Sequence, residues 1–204
     1  MTYTPRWAVL SGIAGLVANA LLILFFVLSR PWGGEETAFA WLGPVNDAAI
    51  VVQFAALVPV ALAVHAALAG RLGRGVTAAG VTAMVLIVVL QLALLAGVLA
   101  FDVQVWAVIA CLLVSFGWVL VASRAGRDVL PGPVVRLGTT AGAGYLAGVA
   151  IVGIGLALPP GSFGQYALWA VGGLVGAAGW LAFPVWPLAL ARRVPAGRDL
   201  VVAR

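Results

Sequence analysis

The spacing of charges is the feature of this sequence that most constrains its fold. Ten of the eleven arginines fall in the N-terminal segment, two short internal segments and the C-terminal end, and long uncharged stretches separate them. A hydrocarbon core about 30 Å thick is crossed by about 20 apolar residues in a helix. The uncharged stretches are long enough for this, so the spacing predicts an all-α, polytopic membrane protein.

Composition supports the same fold class. Hydrophobic residues make up 64% and charged residues 8% of the chain, whereas about a quarter of the residues in a soluble domain are charged. The net charge of +5 comes from arginines spread over four short segments, which is not the continuous basic surface that binds nucleic acid. Cys111 is the only cysteine, which excludes an intramolecular disulfide and a CxxC motif.

Charges and turn residues divide the chain into six spans. Asp102 separates the third span from the fourth, and the segment Pro159–Gly164 cannot continue a helix, so it separates the fifth from the sixth. We expect the first span to stay in the membrane, because it is longer than the apolar core of a signal sequence and no small-x-small site follows it. The prediction is one transmembrane domain over residues 1–204, with helices over about 7–28, 48–70, 75–101, 103–123, 137–158 and 166–190.

The arginines also predict an orientation. With six spans and a cytoplasmic N-terminus, ten arginines are cytoplasmic and only Arg30 is outside, as the positive-inside rule favours. Both termini are then cytoplasmic in a multi-pass protein. Aromatic residues fit this register: Trp7, Trp118 and Trp186 fall near inner helix ends, Trp32, Trp41, Trp106, Tyr166 and Trp169 fall near outer ones, and only Trp180 is deep.

The loops offer two places for function. The longest loop, Arg30 to Asn46, is either a surface loop anchored by tryptophans or a short interfacial helix that contacts a partner. Asp47 and Asp102 each precede a predicted helix, where a carboxylate accepts hydrogen bonds from free backbone N–H groups. We favour helix caps over a proton or ion site for both.

Glycine and proline predict how the helices pack and bend. Glycines spaced by four in helices 5 and 6, and Ser11 with Gly15 in helix 1, allow close backbone approach in lipid. We favour packing within the chain over a dimer face. Pro59 predicts a kink in helix 2, and Pro184 with Pro187 predicts another near the inner end of helix 6.

Polar residues inside the spans are the candidates for a binding site. No Asp, Glu, Lys or Arg lies in mid-span, which argues against a proton-driven pump, and no HExxH, aspartate pair, Ser–His pair or GxxxxGK[ST] motif is present. We therefore expect no catalytic residue and no metal. The candidate ligand-binding residues are Asn19, Gln53, His65 and Gln91. A haem held by His65 and Met84 is disfavoured, because it would need ligands at different depths.

Asn19 and Gln91 form the sharpest prediction. At about 1.5 Å per residue, Asn19 lies roughly 18 Å from the inner end of helix 1 and Gln91 roughly 15 Å from the outer end of helix 3. An amide in lipid would leave its donors and acceptors unpaired. Both should therefore face the bundle interior and meet each other, a carbonyl freed near Pro59, or a ligand.

The six-span plan, the kinked second helix and the segment from Leu130 to Gly138 (LPGPVVRLG) resemble small bacterial integral membrane proteins grouped as a domain of unknown function. The resemblance covers most of the chain and implies the six-helix fold, but no activity and no catalytic residue. The use of arginine without lysine is similar to that of a GC-rich bacterium such as an actinobacterium. It implies the plasma membrane.

Two classes of function remain open. The first is a non-enzymatic module, which is either an accessory or scaffold subunit or a protein that binds lipids or another lipophile. The second is a small permease with a midplane cavity between helices 1, 2, 3 and 6. We expect membrane lipids as partners, together with a protein partner complex or a homo-oligomer. We expect no enzymatic activity, no cofactor and no nucleic acid.

Overall fold

The computed structural model describes residues 5–29 and 38–193, and this part of the chain contains seven helices and no strand. Six stretches are long and apolar enough to cross a membrane, the last of which combines α6 and α7. The protein is therefore a multi-pass bundle of helices. The helices are α1 Pro5–Leu24, α2 Leu42–Ala67, α3 Arg74–Leu95, α4 Phe101–Ala125, α5 Gly132–Leu156, α6 Phe163–Ala182 and α7 Val185–Arg193.

Two helices begin earlier in the structure than the sequence analysis predicted from the positions of charged residues. Helix α2 begins at Leu42 instead of residue 48, and α5 begins at Gly132 instead of residue 137. Pro44 and Pro133 lie in the first turns of these helices, where the missing N–H of proline leaves no hydrogen bond unmade. Of the predicted loop 30–46, residues 30–37 lie outside the described residues. Residues 38–41 form a turn.

The third and sixth helices also end or begin at turn signals. Helix α3 ends at Leu95 instead of residue 101, because Gly97 adopts a φ of +68° and closes a Schellman motif. Its N–H donates to Leu94 O at 2.9 Å, and the next N–H donates to Ala93 O at 2.9 Å. Helix α6 begins at Phe163, where Ser162 Oγ accepts a hydrogen bond from Gln165 N at 3.2 Å. A π-helical turn, Phe25–Ser29, extends α1.

The predicted kink at Pro184 is a complete break. Helix α6 ends at Ala182 and α7 begins at Val185, since Pro184 has no N–H to continue the ladder. Helix α2, in contrast, passes through Pro59 as one helix.

Each helix packs against the next along the chain, and α7 returns to pack against α1. Because the crossings alternate in direction, every arginine within the described residues lies at the same end of the bundle. This arginine end carries Arg6, Arg71, Arg74, Arg124, Arg127, Arg136, Arg192 and Arg193. We call the other end, with the turns at 38–41, 96–100 and 157–162, the opposite end.

Aromatic side chains fill the core. Phe116 stacks on Tyr145 with ring centroids 4.1 Å apart and contacts Phe183 at 4.4 Å. Trp118 and Trp186 meet edge to face at 6.1 Å and are both buried. They are near the arginine end, but α7 turns back against α1 and encloses them.

Glycines bring α5 and α6 into backbone contact. A Cβ atom at Gly148 would collide with the backbone of Gly176, and one at Gly179 would collide with Tyr145 N. In α1, Gly15 packs directly on the amide of Gln53 and on Pro184. The prediction that the small residues serve packing within the chain is confirmed at these positions.

Candidate functional site

The four candidate residues lie in three separate places. Asn19 and Gln53 are buried on the facing helices α1 and α2, Gln91 is buried near the opposite end of α3, and His65 is partly exposed in the last turn of α2. Asn19 is 6% exposed and Gln91 is 3% exposed, so both amides face the interior. The structure does not bring the four residues into one site.

Gln91 pairs with Gln104 and not with Asn19. The side chain of Gln104 donates from Nε2 to Gln91 Oε1 at 2.7 Å. Because α3 ends at Leu95, Gln91 lies about 6 Å from the end of its helix at 1.5 Å per residue, and its predicted midplane depth is wrong. The sequence did not identify Gln104 as the partner of Gln91. Gln104 lies in the first turn of α4, where an amide side chain does not by itself indicate a buried contact.

His65 belongs to a polar pocket at the arginine end. Its Nδ1 is 3.0 Å from Thr77 Oγ1, which joins α2 to α3. Beside it lies a cavity of about 410 Å³ that Arg71 and Arg74 line. Arg71 also approaches Asp128 at 3.7 Å, but both side chains are exposed, so this ion pair stabilises the bundle little.

A first large cavity, which we call the apolar cavity, lies between α4, α5 and α6. It has a volume of about 620 Å³ and is lined almost wholly by apolar atoms. Glycines of α5 and α6 form its floor, and Trp106, Tyr145, Trp169 and Trp180 form its walls. The Trp180 indole N–H is buried and has no hydrogen-bond partner among the described residues.

A second cavity, which we call the acidic cavity, lies at the opposite end between α1, α2, α3 and the start of α4. It has a volume of about 690 Å³. Its walls are mostly apolar, but Asn46 and Asp47 also line it. Asp47 is the sixth residue of α2 and not its cap, so that prediction is wrong. Asp102 lies in the first turn of α4, near the positive end of the helix dipole, but its side chain makes no capping bond.

Leu22 of α1 lines both cavities. This arrangement follows from the break at Pro184: α7 packs against α1 near the arginine end, while α6 packs mainly along α5. A gap is left between α1 and α6 in the other half of the bundle. The sequence predicted a cavity between helices 1, 2, 3 and 6, whereas the acidic cavity has α4 in place of helix 6 and the apolar cavity is formed mainly by α4, α5 and α6.

These cavities suit an apolar or amphiphilic molecule better than a polar substrate. Most of their lining is hydrocarbon and aromatic with few polar groups, as is typical of small-molecule sites. Among the described residues, no cluster of three His, Cys, Asp or Glu side chains is placed to hold a metal ion.

Comparison with protein-family models, curated proteins and solved structures finds no match to this chain. The resemblance to the small six-span bacterial proteins therefore stays a prediction. The apolar cavity and the acidic cavity are therefore the features that bear on function.

Proposed function

We propose that this protein is a non-enzymatic membrane module that binds a lipophile around Leu22. The observation that supports this most directly is that Leu22 lines both of two cavities, which have volumes of about 620 and 690 Å³. Each is within the range of about 300 to 1,000 Å³ that small-molecule sites occupy. A molecule with an apolar body and a polar end fits this pair, since only the acidic cavity carries a carboxylate.

The apolar cavity has space that the protein itself leaves unfilled. A Cβ atom placed at Gly153 or at Gly173 would have no neighbour within 4 Å, although both glycines line the cavity. Alanine or leucine would favour a helix at these positions by about 1 kcal/mol relative to glycine. Glycine at positions 153 and 173 leaves no side chain in the cavity. A ligand could therefore contact the helix backbone directly.

Leucine substitutions at the floor test the proposal. Gly153→Leu and Gly173→Leu place a side chain in the cavity without a backbone collision, so the lipophile is excluded while the fold is retained. The measurement is mass spectrometry of the molecules that co-purify with the full chain in mild detergent. We expect at least a tenfold loss of bound lipophile, which corresponds to about 1.4 kcal/mol, with an unchanged or raised Tm.

Gly117→Leu is the matched control. Gly117 also lies within a helix, and a Cβ atom added there would also have no neighbour within 4 Å, but this glycine lines neither cavity. The control variant should retain the lipophile. Equal retention by all three variants would contradict the proposal, as would a wild-type protein that carries no lipophile.

A permease is the second candidate, and one observation favours it. Along the interface of α1 and α2, three buried polar atoms have no hydrogen-bond partner: Ser11 Oγ, Asn19 Nδ2 and Asn46 Oδ1. They run from near the arginine end to the acidic cavity, as polar groups along a transport path do. Uptake of the co-purified molecule into proteoliposomes, and its loss in Asn19→Leu and Gln53→Leu, would replace the binding proposal with this one.

We further propose the bacterial plasma membrane as the location, with both termini cytoplasmic. Support comes from the placement of all described arginines at one end, because arginine-rich loops stay in the cytoplasm during insertion. An accessory role remains compatible with lipophile binding. It predicts that a protein partner, or a second copy of this chain, appears in the same mild-detergent purification.

A further inference from the structure

The acidic cavity presents hydrogen-bond acceptors that nothing in the described chain satisfies. Asn46 is 6% exposed, lines the cavity, and its Oδ1 has no hydrogen-bond partner. Asp47 follows it on α2, is half-buried and lines the same cavity. No ion pair joins Asp47 to another residue in the part of the chain that the structure describes. A buried acceptor without a donor is costly, so a ligand that supplies donors would be favoured here.

The remaining lining suits a positive charge attached to an apolar body. Phe25 and Phe101 line the cavity with Leu94 and Leu95, and the faces of aromatic rings attract cations. All described arginines are at the other end of the bundle. The carboxylate of Asp47 therefore has no described arginine at its own end of the bundle.

We infer that the acidic cavity takes the primary ammonium headgroup of a lipid, with Asn46 and Asp47 as its acceptors. The inference rests on the proposed lipophile binding and names the class of ligand. A primary ammonium offers three N–H donors, and hydrogen bonds between charged groups are about twice as strong as neutral ones. A quaternary ammonium has the charge without the donors, and a headgroup whose only charge is phosphate would place its oxygens against the acceptors.

Three lipids with identical acyl chains test the inference. Phosphatidylethanolamine carries a primary ammonium, phosphatidylcholine a quaternary one, and phosphatidylglycerol none. Each is added to the purified full chain in detergent, and bound lipid is counted by native mass spectrometry. We expect phosphatidylethanolamine to be preferred about tenfold over both others, which corresponds to about 1.4 kcal/mol.

Asp47→Asn keeps the shape of the side chain and removes its charge. We expect this variant to bind all three lipids about equally while total binding remains. Asp102→Asn is the matched control, because it changes the other described acid at the opposite end, which lines neither cavity. It should keep the wild-type preference. Asn46→Ala, which removes the unpartnered acceptor, should lower the preference several-fold and provides a second test if Asp47→Asn does not fold.

The outcomes separate the two proposals. Equal binding of the three lipids by the wild-type protein overturns the ammonium inference, and so does a preference that survives both Asp47→Asn and Asn46→Ala. Phosphatidylcholine binding as tightly as phosphatidylethanolamine also overturns it, because the N–H donors would then be irrelevant. If the wild-type protein binds none of the lipids, the proposed lipophile binding fails instead.

Discussion

The hydrogen bond between Gln91 and Gln104 joins α3 to α4 at the opposite end of the bundle. The donor and acceptor atoms are 2.7 Å apart and both residues are 3% exposed. In a membrane an amide without a partner has no water to bond with. The pair therefore stabilises the turn at residues 96–100 through the helices that flank it.

Removing both members of the pair should cost less than the sum of the costs of removing each one alone. Gln91→Leu leaves the Gln104 amide unpaired, and Gln104→Leu leaves the Gln91 amide unpaired. We expect each single variant to lose about 1 kcal/mol, within the range of about 0.6 to 1.7 kcal/mol measured for hydrogen bonds between membrane helices. The double variant should lose clearly less than the sum. Reversible unfolding in mixed micelles measures all three, and additive losses would show that the bond contributes nothing.

At the residue scale the sequence predicted burial but not partners. Asn19 and Gln91 were expected inside the bundle because lipid leaves an amide unsatisfied, and both are buried. The partner of Gln91 depends on where α3 ends. Gly97 sets that end through a left-handed conformation, and the pattern of charges, which placed the end at Asp102, does not report it.

Among the elements, α5 and α6 form an asymmetric glycine interface. A Cβ atom at Gly148 would collide with the Gly176 backbone, whereas a Cβ atom at Gly176 would be 3.6 Å from Gly148 Cα, an ordinary contact distance. Facing glycines are therefore not equivalent. The difference arises because the Cα–Cβ bond of Gly148 points at the partner helix and that of Gly176 points past it.

Alanine substitutions should separate the two glycines. Gly148→Ala forces the helices apart, and overpacking of this kind costs about 1 to 3 kcal/mol. Gly176→Ala fits without a shift and gains helix propensity, so it should be neutral or stabilising by up to about 1 kcal/mol. Thermal unfolding of the two purified variants in the same detergent gives the comparison. A similar Tm for both would contradict the geometry of this interface.

The number of spans could be predicted from charge spacing and the turn residues at Pro159–Gly164, because a span needs a minimum length of apolar chain. The ends of the helices could not be predicted in this way. Pro44, Pro133 and Ser162 set where α2, α5 and α6 begin, and they do so by turn and cap geometry within segments that carry no charge to mark the boundary. The π-helical turn at Phe25–Ser29 also has no signal in the apolar pattern.

For the molecule as a whole, the described arginines divide the bundle into two chemically different ends. Eight arginines lie at one end, while Asp47 and Asp102 lie at the other. This asymmetry sets the orientation in the membrane if the positive-inside rule applies.

Cysteine labelling tests that orientation. In a Cys111→Ser background, Arg127→Cys places a thiol at the arginine end and Val98→Cys places one in the exposed turn after α3. A membrane-impermeant maleimide added to intact cells should label Val98→Cys and should label Arg127→Cys only after lysis. The reverse pattern would invert the proposed topology.

The cavities could not be predicted from the sequence, although their residues are visible in it. Their position depends on α7 packing against α1 while α6 stays with α5. Pro184 predicted a bend, but neither the direction of that bend nor the neighbour that α7 contacts is encoded in a local pattern. The two large cavities are lined by other combinations of helices than the predicted cavity between helices 1, 2, 3 and 6.

The glycine contact between α5 and α6 also determines how α6 is held. Only Gln165, Gly172 and Gly179 of α6 are buried, so close backbone contact contributes to its attachment beside the packing of Trp180 on Phe116 and Tyr145. Such attraction is short-ranged: a gap of about 0.5 to 1 Å already loses a quarter to a half of it. The docking of α6 therefore depends on keeping this close contact, and displacement of α6 from α5 would remove one wall of the apolar cavity and widen its opening to the surrounding bilayer.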